Sequence, residues 1–280
     1  MSLPMRILPA IAVAAAVLAV ALISPPAQAE PAASGAETEQ PFDVLVYSRT
    51  TTFRHSSIEV GVAALESIGA EHGFGVDATE DPAAFTLENL ERYAAVIFLN
   101  TTGDVLEGEQ QRDLRKYVRQ GGGYMGIHSA ADTEHEWPFY GRLVGAYFES
   151  HPLQQIAAFD NEGGGHPATA HLGERFTTLD EFYSFKTNPR PDVRVLLTID
   201  EGTYSPDPNT TNLPGNTPSS GVMGDHPMSW CHSNVGGRVF YTALGHEAYL
   251  YELDWYRRHL LGGILTATRQ VRVNCSVSGR

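Results

Sequence analysis

The segment Gly121-Gly122-Gly123-Tyr124-Met125-Gly126-Ile127-His128-Ser129-Ala130 reads as a buried strand ending in a sharp turn. Gly126 and Ala130 are the small residues that let a strand turn tightly into the next element. The tip residue is His128. An elbow of this kind lifts its tip to the carboxyl edge of a parallel sheet, where ligands bind. The His128 ring is therefore expected to reach a cleft and to contribute little to packing. Histidine can act there as a general base, a metal ligand or a sugar hydrogen-bonder, but it replaces the serine or cysteine of acyl-enzyme chemistry.

The chain around the elbow alternates between two periods. Apolar strands are predicted at 42–47, 74–79, 94–99 and 123–127, with helices between them at about 56–73, 86–93 and 107–120. Continuous hydrophobic strands separated by helices predict an α/β fold with a mostly parallel sheet flanked by helices on both faces. Shorter strands follow at 155–159, 181–186, 193–199, 227–232 and 238–243, and a helix at 254–268 closes the domain. Residues 202–225, rich in Pro, Asn, Thr and Gly, read as a long surface loop.

Residues 1–29 read as a signal peptide: Arg6, an apolar run over 7–23, and the cleavage pattern Ala27-Gln28-Ala29. A retained anchor is the alternative, although the run is near the lower limit for spanning. Either way the folded part is expected outside the cytoplasm, with 30–40 as a disordered lead-in, 41–270 as one domain and 271–280 as a tail. The net charge of −14 becomes −15 when the leader takes away Arg6 and no acid. So acidic a surface repels nucleic acid and anionic lipid and is indifferent to a neutral sugar. Cys231 and Cys275 can pair in an oxidising compartment, or stay free.

Several longer blocks carry a resemblance. They are Thr52-Phe53-Arg54-His55-Ser56-Ser57-Ile58, the run from Gly121 to Pro152, the run from His166, the run from Asp180, and the run from Asp225 to His246. Together they resemble the ThuA-like (trehalose utilisation) family across nearly all of the chain beyond its leader. The resemblance implies a flavodoxin-like, class I glutamine amidotransferase-like fold and a link to disaccharide or keto-sugar catabolism. Those amidotransferases carry a cysteine at the elbow and a histidine followed two residues later by glutamate. Here the elbow holds His128, and the acid of Gly245-His246-Glu247 is adjacent to its histidine, so glutaminase chemistry is not expected.

His128, His246 and Glu181 are the expected catalytic residues, the role of His246 resting largely on the resemblance. Arg54, His55, Ser129 and Tyr183 are expected to hold sugar hydroxyls, with Tyr183 on the same strand face as Glu181. Trp230 can stack on a sugar or fill the core, and His151 and His166 are expected at loop corners in structural roles. His55, His128 and His246 each follow a predicted strand and should converge, although 73 and 118 residues separate them. No residue is assigned as a metal ligand, because no H-E-x-x-H spacing occurs; a divalent ion such as zinc on His55, His128, His151 and His246 remains an alternative. The expected function is histidine acid/base chemistry on a small carbohydrate, by hydrolysis or isomerisation. The other reading is a noncatalytic carbohydrate-binding module on the same scaffold.

Overall fold

Short apolar runs build the centre of the molecule. In the computed structural model, β1 (Asp43–Tyr47), β3 (Ala95–Leu99) and β4 (Gly123–Ile127) are buried almost throughout, as strands covered on both faces must be. β2 (Gly75–Thr79) flanks β1 at the edge, and β11 (Val239–Thr242) follows β4 on the other side. These five pair in parallel in the order β2-β1-β3-β4-β11. The sheet then continues antiparallel through β10 (Pro227–His232), β9 (Arg194–Ile199), β6 (Gln155–Asn161) and β7 (Arg175–Asp180). A separate pair joins β5 (Phe148–Ser150) to β8 (Ser184–Phe185). The structure describes residues 41–207 and 221–277, all within one compact unit, Glu39–Arg280. The expected leader and lead-in, the centre of the expected surface loop and the end of the tail lie outside the described residues.

The helices cover both faces. α1 (Ile58–His72) stops at Gly73, whose φ of 78° lets its N–H close back on the Gly69 carbonyl. α3 (Gly108–Arg119) begins where Gln110 accepts from the Glu107 N–H. Neighbouring residues of β4 point to opposite faces, which fixes the layers. Tyr124 bonds Tyr140 of α4 (Pro138–Val144), whereas Met125 approaches Gly263 of α5 (Asp254–Ala267). The short α2 (Leu87–Leu90) follows β2.

Four differences from expectation concern the second half. β5, β7 and α4 were not anticipated, and Glu181 does not open a strand: residues 181–183 form an irregular link between β7 and β8. The cysteines are joined, Cys231 in β10 to Cys275, tying the tail to the sheet. No described helix is long and apolar enough to cross a membrane.

Candidate functional site

The carboxyl ends of β1, β4 and β11 deliver His55, His128 and His246 to one place. Their ring centroids are 4.9 Å apart for His55 and His128, 5.1 Å for His55 and His246, and 5.3 Å for His128 and His246. Asn100, after β3, fastens these loops by donating to Ser57 Oγ at 2.9 Å and to the Gly245 carbonyl at 3.2 Å. Convergence thus follows from parallel topology.

His128 does sit on the elbow, with φ at 49°, a left-handed conformation rare for a residue bearing a Cβ. A Cβ at Gly126 would come 2.9 Å from the Tyr241 ring and 3.2 Å from the Ala130 Cβ, so the approach to the turn needs glycine. The expectation of an open ring is corrected: His128 is fully buried, because Tyr183 and the loop after β11 cover it. Its Nδ1–H donates to the Ala243 carbonyl at 2.8 Å, and its Nε2 faces Glu181 Oε2 at 3.5 Å without hydrogen-bond geometry.

Glu181 is the centre of the cluster. Oε1 lies 2.9 Å from His151 Nδ1, which also meets the Pro152 carbonyl at 2.9 Å, and Oε2 lies 3.2 Å from His246 Nδ1. Burial pushes this carboxyl up, but His128, His151 and His246 outweigh burial and hold it far below the usual carboxylate range. Glu181 therefore stays ionised. Burial works against protonation of His151 and His246, yet the Glu181 contact raises both above the ordinary histidine value. Burial lowers His55 to about 2, with His128 and His246 adding to the effect, and burial likewise lowers His128. One anionic carboxylate thus stands between two readily protonated imidazoles and two neutral ones.

Above the cluster opens a cavity of about 890 Å³, lined at its base by His55, His151, Glu181 and His246. Phe53, Phe148 and Leu153 form apolar walls, and Phe53 is 61% exposed at the rim. Asp132 lines the cavity too, 2.7 Å from His135 Nε2.

Three expected sugar contacts fall elsewhere. Arg54 turns away to Glu59 and Glu80, each at 2.8 Å, since two carboxylates outcompete a neutral cavity for a guanidinium. Trp230 is wholly buried with its N–H on the Val144 carbonyl, so it packs the core. Ser129 is buried and meets His55 Nδ1 at 3.3 Å, placing it behind the histidine. Tyr183 lines the cavity, its ring centroid 4.3 Å from that of His128. His151, expected to be structural, belongs to the cluster instead; its place beside Pro152 carries no local signal of that. His166 does stay in a structural position, its Nδ1 accepting from the Ala168 N–H.

The sequence matches the family model for ThuA, trehalose utilisation, over residues 43–267. The chain belongs to the ThuA family. No curated protein matches it. Among solved structures, this ThuA chain resembles a ThuA-like protein from Bacteroides uniformis ATCC 8492, with a TM-score of 0.67 and 22% identity over 85% of this chain and 95% of that one. A ThuA-like protein from Parabacteroides merdae ATCC 43184 gives 0.62 and 19%, over 85% and 98%. A β-galactosidase from Bacillus circulans sp. alkalophilus gives 0.50 and 11%, over 80% of this chain and 30% of that one. At such identities the likeness establishes the α/β, flavodoxin-like fold of the ThuA chain and leaves its chemistry to the site.

Proposed function

We propose that this ThuA-family protein is a secreted enzyme that hydrolyses or isomerises a disaccharide or keto-sugar. The observation that carries the reading is the ionised Glu181 between His151 and His246 at the base of an apolar-walled cavity. An ionised carboxylate that favours protonation of the imidazoles beside it suits proton exchange with hydroxyl and carbonyl oxygens. His246 and His151, which line the cavity, exchange protons with the sugar, and Glu181 keeps them charged and oriented. His128 is shut off from the cavity and acts through Glu181, as a positioning residue. Phe53 and Phe148 offer apolar faces to the C–H side of a sugar ring.

Asp132 gives the cavity a second carboxylate, which glycoside hydrolysis by an acid and a base requires. Glutaminase chemistry is disfavoured, since the elbow holds His128 and both cysteines of the chain are in the disulfide. The disulfide also favours an oxidising compartment, in keeping with export by the expected leader. The exposed Phe53 supports the second reading, a noncatalytic sugar-binding module. A screen of the purified protein against disaccharides and their keto derivatives, with and without chelator, separates the two. Product formation is expected; saturable binding with no product from any of them would favour the binding module.

A further inference from the structure

We propose that His55, His128, His246 and Glu181 form a site for one divalent transition-metal ion at the base of the cavity. One donor atom from each of the four lies within 4.8 Å of every other. The separations of 3.2 Å from Glu181 Oε2 to His246 Nδ1 and 3.5 Å to His128 Nε2 bracket the edge of a tetrahedron. With metal bonds of 2.0–2.1 Å that edge is about 3.3–3.4 Å. Direct hydrogen bonds do not explain this spacing: His128 Nε2 and His246 Nδ1 are buried and have no hydrogen-bond partner. Burying polar nitrogens in that state is costly unless something else satisfies them.

The outer partners have the arrangement that metal-bound histidines require. A ligating imidazole holds its other nitrogen on a carbonyl, carboxylate or hydroxyl, which sets the tautomer and aims the lone pair. His128 donates Nδ1–H to the Ala243 carbonyl, so Nε2 carries the lone pair. His55 Nδ1 meets Ser129 Oγ, leaving Nε2 as its inward nitrogen. His246 Nε2 meets the Gln154 amide at 2.9 Å, and rotating that amide presents its oxygen as acceptor and frees Nδ1 for a ligand. Glu181 is steadied by His151 on its other oxygen. Three imidazoles and a carboxylate suit zinc and its first-row neighbours better than magnesium or calcium.

Other candidates carry less. His166 with Cys231 and Cys275 is a second group of adjacent donors, but the disulfide removes both thiolates. The acids Asp160, Glu162, Asp200 and Asp225 are already engaged by Arg175 and Arg190. At the four-residue site the lining residues His55, Glu181 and His246 face the cavity, so a further coordination position opens toward a ligand. With the ion bound, His246 is a neutral ligand and its part in proton exchange passes to the ion, which would polarise a sugar oxygen and leave His151 to carry the proton. Only this catalytic consequence rests on the carbohydrate reading.

The test uses untagged protein, stripped with chelator and titrated calorimetrically with Zn²⁺, Co²⁺, Ni²⁺ and Mn²⁺. At least one of these ions is expected to bind at one equivalent per chain. Affinity should fall tenfold or more in His55→Gln, in His246→Gln and in Glu181→Gln, by about tenfold in Ser129→Ala, and not at all in the exposed His72→Gln. His246→Gln, at the one half-buried member of the four, keeps the test usable if the buried-site variants fold poorly, and the Co²⁺ absorption spectrum of the wild type reports ligand type independently. The proposal is overturned if no ion binds the wild type, or if binding survives both His55→Gln and His246→Gln. Metal binding without sugar turnover would leave the ion site standing and remove the carbohydrate reading; turnover by metal-free protein with no measurable ion binding would do the reverse.

Discussion

Asp180 Oδ2 accepts from the Gly245 N–H at 2.8 Å, so the last residue of β7 holds the loop that carries His246. Oδ1 accepts from the Glu247 N–H at 3.0 Å, clamping the loop on both sides of the histidine. Its sequence neighbour Glu181 meets the same histidine from the cavity side. One carboxylate places the backbone and the next engages the ring. Asp180→Ala orphans two N–H groups and is expected to cost about 2–4 kcal/mol. Urea unfolding measures this, and a cost under about 0.5 kcal/mol would show that the clamp contributes little.

Burial of His128 changes what its replacement does. The ring fills space under Tyr183 and donates to Ala243, so His128→Ala should lower stability by about 2–4 kcal/mol. Thermal unfolding indistinguishable from wild type would instead mean that the elbow is open in solution.

The bond from Cys231 to Cys275 closes a loop over a sequence separation of 44 residues. In the chain-entropy account such a closure stabilises by about 3–4 kcal/mol. Peptide mapping without reductant should find the linked pair, and reduction should lower the unfolding midpoint. Two alkylatable thiols in the native protein would contradict the pairing.

Histidines away from the site give stability a pH slope. Burial holds His166 to about 3 and holds His232 and His259 to about 4. Below the ordinary value near 6.5 the unfolded chain takes up protons that the folded protein refuses, so stability is present above that pH and is lost as pH falls toward 4. His232→Gln should flatten the slope of unfolding free energy against pH by about one proton between pH 6 and 4.5. An unchanged slope would mean that His232 is protonated in the fold.

The parallel half of the fold was legible because its strands are continuous apolar runs: Val44–Tyr47, Ala95–Leu99 and Gly123–Ile127 need no knowledge of their neighbours. β7 was not, since Arg-Phe-Thr-Thr-Leu-Asp at an edge exposes half of its residues and reads as loop. His55, His128 and His246 could be foreseen together because each follows a parallel strand. His151 follows the three-residue β5, whose place depends on the two-residue β8 inside the expected strand 181–186, and nothing local announces β5. Trp230 and Arg54 went astray for opposite reasons: an indole fits a core as readily as a sugar, and the partners of Arg54 are chosen by its surroundings.

The central claim is that Glu181 organises a sugar-processing site. It is tested most directly by kcat/KM of wild type and Glu181→Gln on a disaccharide or keto-disaccharide that the wild type turns over. The account predicts a loss of about 10²–10⁴-fold, because the amide keeps the shape but cannot hold His151 and His246 charged. A folded Glu181→Gln protein working at the wild-type rate would contradict it.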